Sequence, residues 1–341
     1  RDSVDTTACA QAVENLAEEV EEATGKLDDE MLAAELDAGG RRLRLAAHAL
    51  RVFAAAPSPD SVRWLERPDP GRVTLQSAPL SIAERMREAV YSRVTATVLT
   101  SATLTVTESF DFFASRLGLD GFSTVRLDSP FDYENNCLVY VPAALPRPNA
   151  PQFAASAAGV LGRILAASRG RALVLFTSYE SLNAVHALVP DTGFAHLKQG
   201  DEPPPLLLEK FRTDTHSVLF ATQSFWQGVD VPGDSLSCLV IVRLPFEVPD
   251  DPRLTAICEE LKAAGREPFT DYQIPTAVLR FRQGFGRLIR SATDRGAVVV
   301  LDRRIIEQPY GRSFLRSLPP GIRLADRFDD FERFFSPADG A

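Results

Sequence analysis

Gln283-Gly284-Phe285-Gly286-Arg287-Leu288-Ile289-Arg290 is the stretch on which the reading of this 341-residue chain turns. The apolar pattern leading into it predicts one long helix from Ala277 to Leu288. On a helix, Arg287 and Arg290 share a face with Gln283 one turn earlier. Three long polar groups then converge on one target, and two adjacent guanidiniums repel unless a multivalent anion or a pair of carboxylates sits between them. A solvated basic helix face would carry the same residues, so the stretch has to be read with its sequel. That sequel is Gly296-Ala-Val-Val-Val-Leu-Asp302, a buried-strand pattern, which sets the helix against a sheet rather than open solvent.

Outward from this point the pattern alternates. Helices are predicted through Phe153, Leu161, Ile164 and Leu165, through Leu182, Val185 and Val189, around Leu206 to Phe211, and from Leu254 to Leu261. Between them lie strand candidates at Ala172–Phe176, Phe194–Leu197, Val218–Ala221, Leu236–Val242 and Val298–Leu301. Short apolar strands separated by helices predict an α/β fold with a mostly parallel sheet covered on both faces. Such sheets carry their working residues at the carboxyl ends of the strands. Polar clusters fall there: Thr177-Ser178-Tyr179 after one strand, and Thr222-Gln-Ser-Phe-Trp-Gln-Gly-Val-Asp230 after another.

Toward the amino terminus, Val13, Leu16 and Val20 recur at helical spacing against an acidic face. A second helical pattern runs through Leu45, Ala49, Leu50 and Phe53, with Gly39-Gly40 expected to interrupt the pair. Pro57-Ser-Pro59 and Pro68-Asp-Pro70-Gly71 mark a boundary near residue 70. Beyond it come a strand at Val73–Leu75, a helix through Ile82, Met86 and Val90, and a strand at Ala96–Leu99 that ends in Thr100-Ser-Ala-Thr-Leu104. A helix with Phe110, Phe113 and Leu117 on one face follows. Pro130, Pro142, Pro146 and Pro148 then punctuate a crossover. The expected organisation is a small helical segment over 1–70, part of an α/β domain over 71–135, and a second α/β domain over 136–341.

The formal net charge of −9 argues against a broadly basic surface, but much of the acid sits in the first forty residues, from Glu14 to Glu30, leaving room for local basic grooves. Cys9, Cys137, Cys238 and Cys258 form no CxxC pair, which indicates neither a zinc site nor a disulfide framework and points to a reducing, cytoplasmic setting. No apolar run is long enough to span a membrane, and a chain starting at Arg1 reads as a piece of a longer protein.

Each polar cluster has two readings. Gly228 allows a backbone bend with close ligand approach, and Asp230 can accept from a ribose hydroxyl or orient an arginine; a polar loop with a capping Asp would look alike. Thr177 and Ser178 suit phosphate-sugar contacts but equally an N-cap. Ser101 and Thr103 can couple two ligand sites or simply end a strand. His186 lies near an apolar helical face and reads as structural.

Taken in order, Thr-Ser-Ala-Thr-Leu, Phe-Thr-Ser, Ser-Phe-Trp-Gln-Gly-Val-Asp, Gln-Gly-Phe-Gly-Arg-Leu-Ile-Arg and Val-Val-Leu-Asp-Arg-Arg resemble the carboxy-terminal half of superfamily 2 helicases of the DinG/XPD type, over roughly 73–305. The resemblance implies RecA-like domains with ATP in the cleft between them, single-stranded or forked DNA across both, 5′→3′ movement, and work in DNA repair or replication. The first 70 residues match the family's arch only by position and character. The resemblance also assigns roles by motif. Thr100–Thr103, with Ser101 and Thr103, would link the ATP state to the DNA grip. Thr177 and Ser178 would lie close to the DNA backbone, with Thr222 and Ser224 at the start of the next motif. Gly228 and Asp230 would face the nucleotide, and Gln283, Arg287 and Arg290 would form the catalytic set, with both arginines reaching the γ-phosphate.

Gln223 and Gln227 depart from the Gly and Glu usual at those positions. No Gly-x-x-x-x-Gly-Lys-Ser/Thr and no Asp-Glu-x-His occur, so the phosphate loop, the magnesium site and the rest of the first motor domain are expected outside this chain, which alone should not hydrolyse ATP. An iron–sulfur cluster, present in many relatives, would lie upstream, since these four cysteines do not supply one. Two alternatives remain at this point: the motor half of a nuclease fusion, and a non-catalytic RecA-like module that binds nucleic acid.

Overall fold

Runs of three to five residues, most of them apolar throughout, become the strands of a seven-stranded sheet in which every pairing is parallel. They are β3 (Cys137–Tyr140), β4 (Ala172–Leu175), β5 (His196–Lys198), β6 (Val218–Ala221), β7 (Cys238–Ile241), β8 (Gly296–Val300) and β9 (Arg323–Ala325), in the order β5-β6-β4-β7-β8-β3-β9. The structure, a computed structural model, describes residues 6–55, 58–69, 71–222, 225 and 236–336. The chain divides into two compact units: Arg1–Ile82 with Asp250–Glu259, and Ala83–Pro249 with Glu260–Ala341.

The sheet belongs to the second unit, and its two-residue side-chain period sorts the core into two layers. Val139, Leu173, Leu175, Leu219, Leu239, Ile241, Val298 and Val300 face one layer, where α8 (Pro204–Thr213), α10 (Ile274–Phe285), α11 (Arg304–Glu307) and α12 (Gly311–Arg316) supply Phe211, Phe281, Phe285, Ile305 and Phe314. Leu138, Tyr140, Val174, Phe220, Val240 and Val299 face the other, against α6 (Phe153–Ser168), α7 (Tyr179–His186) and α13 (Phe328–Phe335). Each such side chain, removed from water, is worth roughly 1.5–3 kcal/mol, so the sheet and not any one helix holds this unit together. Burial also pushes the thiols of Cys137 and Cys238 up to about 12, which makes both inert core residues.

Two strands of this sheet were not legible. β9 is only three residues long, and β3 lies inside the stretch read as a proline-rich crossover, although it pairs with both β8 and β9. One expected strand is absent: residues 96–99 are not in a strand, and Val98 is 87% exposed. An isolated apolar run cannot satisfy its own backbone donors, and no described strand lies beside it to pair with. The remaining helices of this unit are short, α3 (Ala83–Ala89), α4 (Asp111–Leu117) and α5 (Tyr133–Asn136).

The first unit holds α1 (Thr7–Thr24), α2 (Glu30–Ala54) and an antiparallel hairpin of β1 (Ser61–Asp69) and β2 (Arg72–Pro79), and α9 (Pro252–Ala263) begins in it. Gly39-Gly40 does not interrupt a helix, contrary to expectation. α2 runs through both, with Gly40 buried against α1, where even a Cβ would stand in ordinary contact at 3.6 Å from Val20 Cγ1. The break falls earlier, where Asp29 caps α2 by accepting from the N–H groups of Met31 (2.9 Å) and Leu32 (3.1 Å). Glu14 and Glu21 on the acidic face of α1 pair with Arg51 and Arg44 of α2. The boundary expected near residue 70 is not there: Asp69, the last residue of β1, pairs with Arg72, the first of β2, and the first unit continues to Ile82.

Candidate functional site

Apolar residues at Ile274, Ala277, Val278, Phe281 and Phe285 bury one face of α10, and the helix ends at Phe285. This corrects the expected span to Leu288. Gly286 is the C-cap, its N–H donating to Arg282 O at 2.9 Å, and the chain then tightens through Arg287 N–H to Gly284 O (3.1 Å) and Leu288 N–H to Phe285 O (3.0 Å). Leu288 and Ile289 are buried, and they pull the backbone into the core rather than along the helix axis. Arg287 and Arg290 therefore project from a turn, not from one helix face.

They nonetheless converge with Gln283. All three line a cavity of about 780 Å³ whose opposite wall includes Ala102, Thr103, Thr105, Thr107 and Glu108. Arg126, Arg282 and Arg316 line it too, so that among the described residues five arginines and two carboxylates, Glu108 and Asp128, line the cavity. One of those carboxylates is already engaged, Glu108 accepting from Arg126 at 3.0 Å. Such a balance complements a polyanion such as a chain of phosphates.

Asp294 holds the arginine turn. Its carboxylate accepts from the backbone N–H of Arg290 (2.8 Å) and of Ser291 (2.9 Å) and from Ser291 Oγ (2.7 Å). Burial alone would raise its pKa, but these donors, with the Arg290 charge, hold it below the usual carboxylate value. The Arg290 guanidinium is pushed down by burial, an effect that Asp294 opposes and Arg212 reinforces. Gly296 lets the turn approach the sheet: a Cβ there would meet Leu288 Cδ1 at 2.6 Å and Ser237 O at 2.8 Å.

On the opposite wall, Ser101 Oγ accepts from Thr103 N–H at 3.2 Å and lies 3.3 Å from the Thr103 hydroxyl. Thr103 lines the cavity, whereas Ser101 shapes the turn behind it. Arg282, which the motif reading passed over, ties this turn to α10, with Nη1 donating to Thr105 O (2.7 Å) and Oγ1 (3.0 Å) and Nη2 to Ala102 O (3.0 Å). Its position beside Gln283 was the one signal available in the sequence.

Thr177, Ser178 and Thr222 do not line this cavity; they stand at the carboxyl ends of β4 and β6. Ser178 is an N-cap, its Oγ accepting from Ser181 N–H at 3.2 Å. Thr222 is buried and donates its N–H (2.7 Å) and hydroxyl (3.0 Å) to Gln199 Oε1, while Gln199 Nε2 donates to Tyr179 OH at 2.7 Å. Gln199 thus ties together the ends of β4, β5 and β6, and no motif in the sequence announced it. Ser224, Gly228 and Asp230, with Gln223 and Gln227, lie outside the described residues. His186 packs edge-on against Phe220 at 4.7 Å, as a structural histidine does.

Residues 161–321 match the helicase C-terminal domain family. The ATP-dependent DNA helicase YoaA of Escherichia coli K12 is 39% identical over 295 residues, which cover 86% of this chain and 46% of that protein. The ATP-dependent helicase DinG of Mycobacterium tuberculosis H37Rv is 41% identical over 284 residues, covering 81% of this chain and 43% of that protein. The chain thus spans less than half the length of these relatives. Among solved structures, an XPD helicase superposes with a TM-score of 0.61 at 16% identity, over 85% of this chain and 55% of that one, a likeness of fold.

Proposed function

We propose, for a chain that carries the helicase C-terminal domain of the DinG/XPD-type superfamily 2 family, that it forms part of an ATP-driven DNA helicase or translocase. In this reading 136–341 is the second RecA-like motor domain, 71–135 is part of the first, and 1–70 is an arch-like segment. The observation that carries the reading is the convergence of Gln283, Arg287 and Arg290 on one arginine-rich cavity. Arg287 and Arg290 would take the γ-phosphate and stabilise the charge that develops on it during transfer, with Gln283 orienting the reacting groups. ATP would arrive with magnesium, both held mainly by residues outside this chain, and hydrolysis would move the walls of the cavity relative to each other. Single-stranded or forked DNA would run over the carboxyl edge of the sheet, near Thr177, Ser178 and Thr222, with Gly228 and Asp230 on the nucleotide side. A 5′→3′ polarity, a cytoplasmic setting and a place in DNA repair go with this reading, and any iron–sulfur cluster would belong to the longer protein.

Replacing Arg290 by Ala in the full-length protein tests it. ATP turnover and unwinding should fall by about 100-fold or more, the scale of losing one transition-state donor, with DNA binding nearly intact. An R290A protein that unwinds normally would remove the role given to this residue. A second reading, the motor half of a nuclease fusion, draws on the 3'-5' exonuclease DinG of Bacillus subtilis, 39% identical over 274 residues that cover 29% of its length. Exonuclease assay of the full-length protein separates the two.

A further inference from the structure

We propose that the arginine cavity continues into a nucleobase subsite, in which Glu108 accepts from the exocyclic amino group of adenine; this rests on the nucleotide reading above and assigns the end of the nucleotide away from the reacting phosphate. A second cavity of about 380 Å³ adjoins the first and shares part of its wall, Glu108, Arg126, Arg316, Leu318, Pro319 and Pro320 lining both. None of Gln283, Arg287 and Arg290 lines it. Beyond the shared wall its side chains are apolar, those of Val139, Leu315, Ile322 and Leu324. Arg126 marks the seam: burial, and then the charge of Arg126, push the Arg282 guanidinium's pKa down, so Arg126 stands near the phosphate wall as well. A ligand that spans the two cavities is polyanionic at one end and flat and largely apolar at the other. A nucleoside triphosphate has that form.

Glu108 is carried into the shared wall by a strained turn. Val106 N–H donates to Ser109 O (2.9 Å) and Ser109 N–H to Val106 O (3.0 Å), and the two residues between them, Thr107 and Glu108, have φ of 49° and 73°. Asn-Gly is the usual pair where both central residues of a turn have positive φ. A β-branched Thr followed by Glu is disfavoured there, and strain of this kind gathers at ligand sites. The turn sets Glu108 Oε1 against Arg126 Nη1 at 3.0 Å, and no described donor bonds to Oε2. An ionised carboxylate accepts and cannot donate. It therefore suits the N6 amino group of adenine and opposes the O6 carbonyl that guanine presents in the same place.

Steady-state hydrolysis of ATP and of GTP by the full-length protein tests the subsite. The wild type should favour ATP by about 10-fold or more in kcat/KM, and E108Q, whose amide can donate to O6 as well as accept from N6, should bring the two within about 3-fold of each other. Leu324→Ala, which trims a side chain of the second cavity alone, should raise KM for both nucleotides by about 5-fold, with the loss in KM rather than kcat. Inorganic tripolyphosphate, which has phosphates and no base, should inhibit the wild type and L324A equally. A wild type indifferent to the base, a wild-type preference retained in E108Q, or an unchanged KM in L324A would each overturn the proposal. Weaker tripolyphosphate inhibition of L324A would overturn it too, because the variant would then act on the phosphate wall. A fully active R290A overturns the nucleotide reading itself, whereas these results overturn only the place given to the base.

Discussion

The backbone N–H of Arg290 donates to the carboxylate of Asp294 at 2.8 Å, and this bond sets the direction in which the last arginine of the cavity leaves the chain. The same carboxylate takes two donors from Ser291, so a single acidic side chain closes the turn after α10 much as a capping residue closes a helix.

Asp294→Ala removes the acceptor of all three donors at once. Stability should fall by about 1–2 kcal/mol, the usual cost of a lost cap, as read by urea unfolding. In the full-length protein ATP turnover should fall by about 10-fold with a smaller change in DNA affinity, because positioning of a reacting group is what is lost. Since the folded pKa of Asp294 lies below its ordinary value, its contribution is present above the unfolded carboxyl pKa and disappears as pH falls through the folded one. The variant should therefore lose less stability on acidification than the parent.

Asp302 is fully buried, accepts the N–H of Leu244 at 3.0 Å, and pairs with Arg304 at 2.5 Å. It joins the carboxyl ends of β7 and β8. Asp302→Ala leaves the Leu244 N–H without its acceptor and takes the carboxylate from Arg304, which keeps Tyr310, and should destabilise by about 1–3 kcal/mol, the cost of a buried donor left unmade. Asp302→Asn keeps an acceptor for Leu244 and should lose less, a ranking that thermal unfolding of the two variants checks.

Gly296→Ala places a Cβ 2.6 Å from Leu288 Cδ1 and 2.8 Å from Ser237 O. Leu288 or the strand must shift, so the variant should lose about 1–3 kcal/mol as an overpacked site. Because Leu288 sits between Arg287 and Arg290, activity of the full-length protein should drop more than that of an equally destabilised variant elsewhere, such as Leu161→Ala. Equal losses would remove Leu288 as the support of the turn.

His186 and His196 pack on Phe220 at 4.7 and 5.0 Å, and both sit below the ordinary value of 6.5, His186 through burial and then Lys198, His196 through burial and then His186. The unfolded chain binds protons first, so their contribution is whole above about pH 6.5 and is lost as pH falls from there through the folded values. The urea midpoint should drop between pH 7.5 and 5.5. His196→Gln should flatten that dependence.

Much of the sheet was legible because a strand buried on both faces must be apolar throughout: Val218–Ala221 was found to the residue, and the runs at 172, 238 and 296 within one or two. β3 and β9 were not, since three or four residues carry too little period to stand out among prolines. The convergence of Gln283, Arg287 and Arg290 was readable from residue type and spacing, while the geometry that produces it was not. The helical pattern runs on through Leu288, but the helix ends at Phe285, and the chain turns in to bury Ile289 and to set Leu288 against Gly296.

The order of the apolar runs, the parallel α/β class and two of the cations that gather at the cavity, Arg287 and Arg290, are properties of the sequence, because periodicity and charge are local and survive without a partner; Arg126, Arg282 and Arg316 join them only in the fold. The end of α10, the exposure of Val98, the bridging by Gln199 and the reach of Arg282 to Thr105 belong to the tertiary structure. Each depends on which distant backbone group stands within about 3 Å, and that is settled only when the sheet has brought residues some twenty to nearly two hundred positions apart into one place.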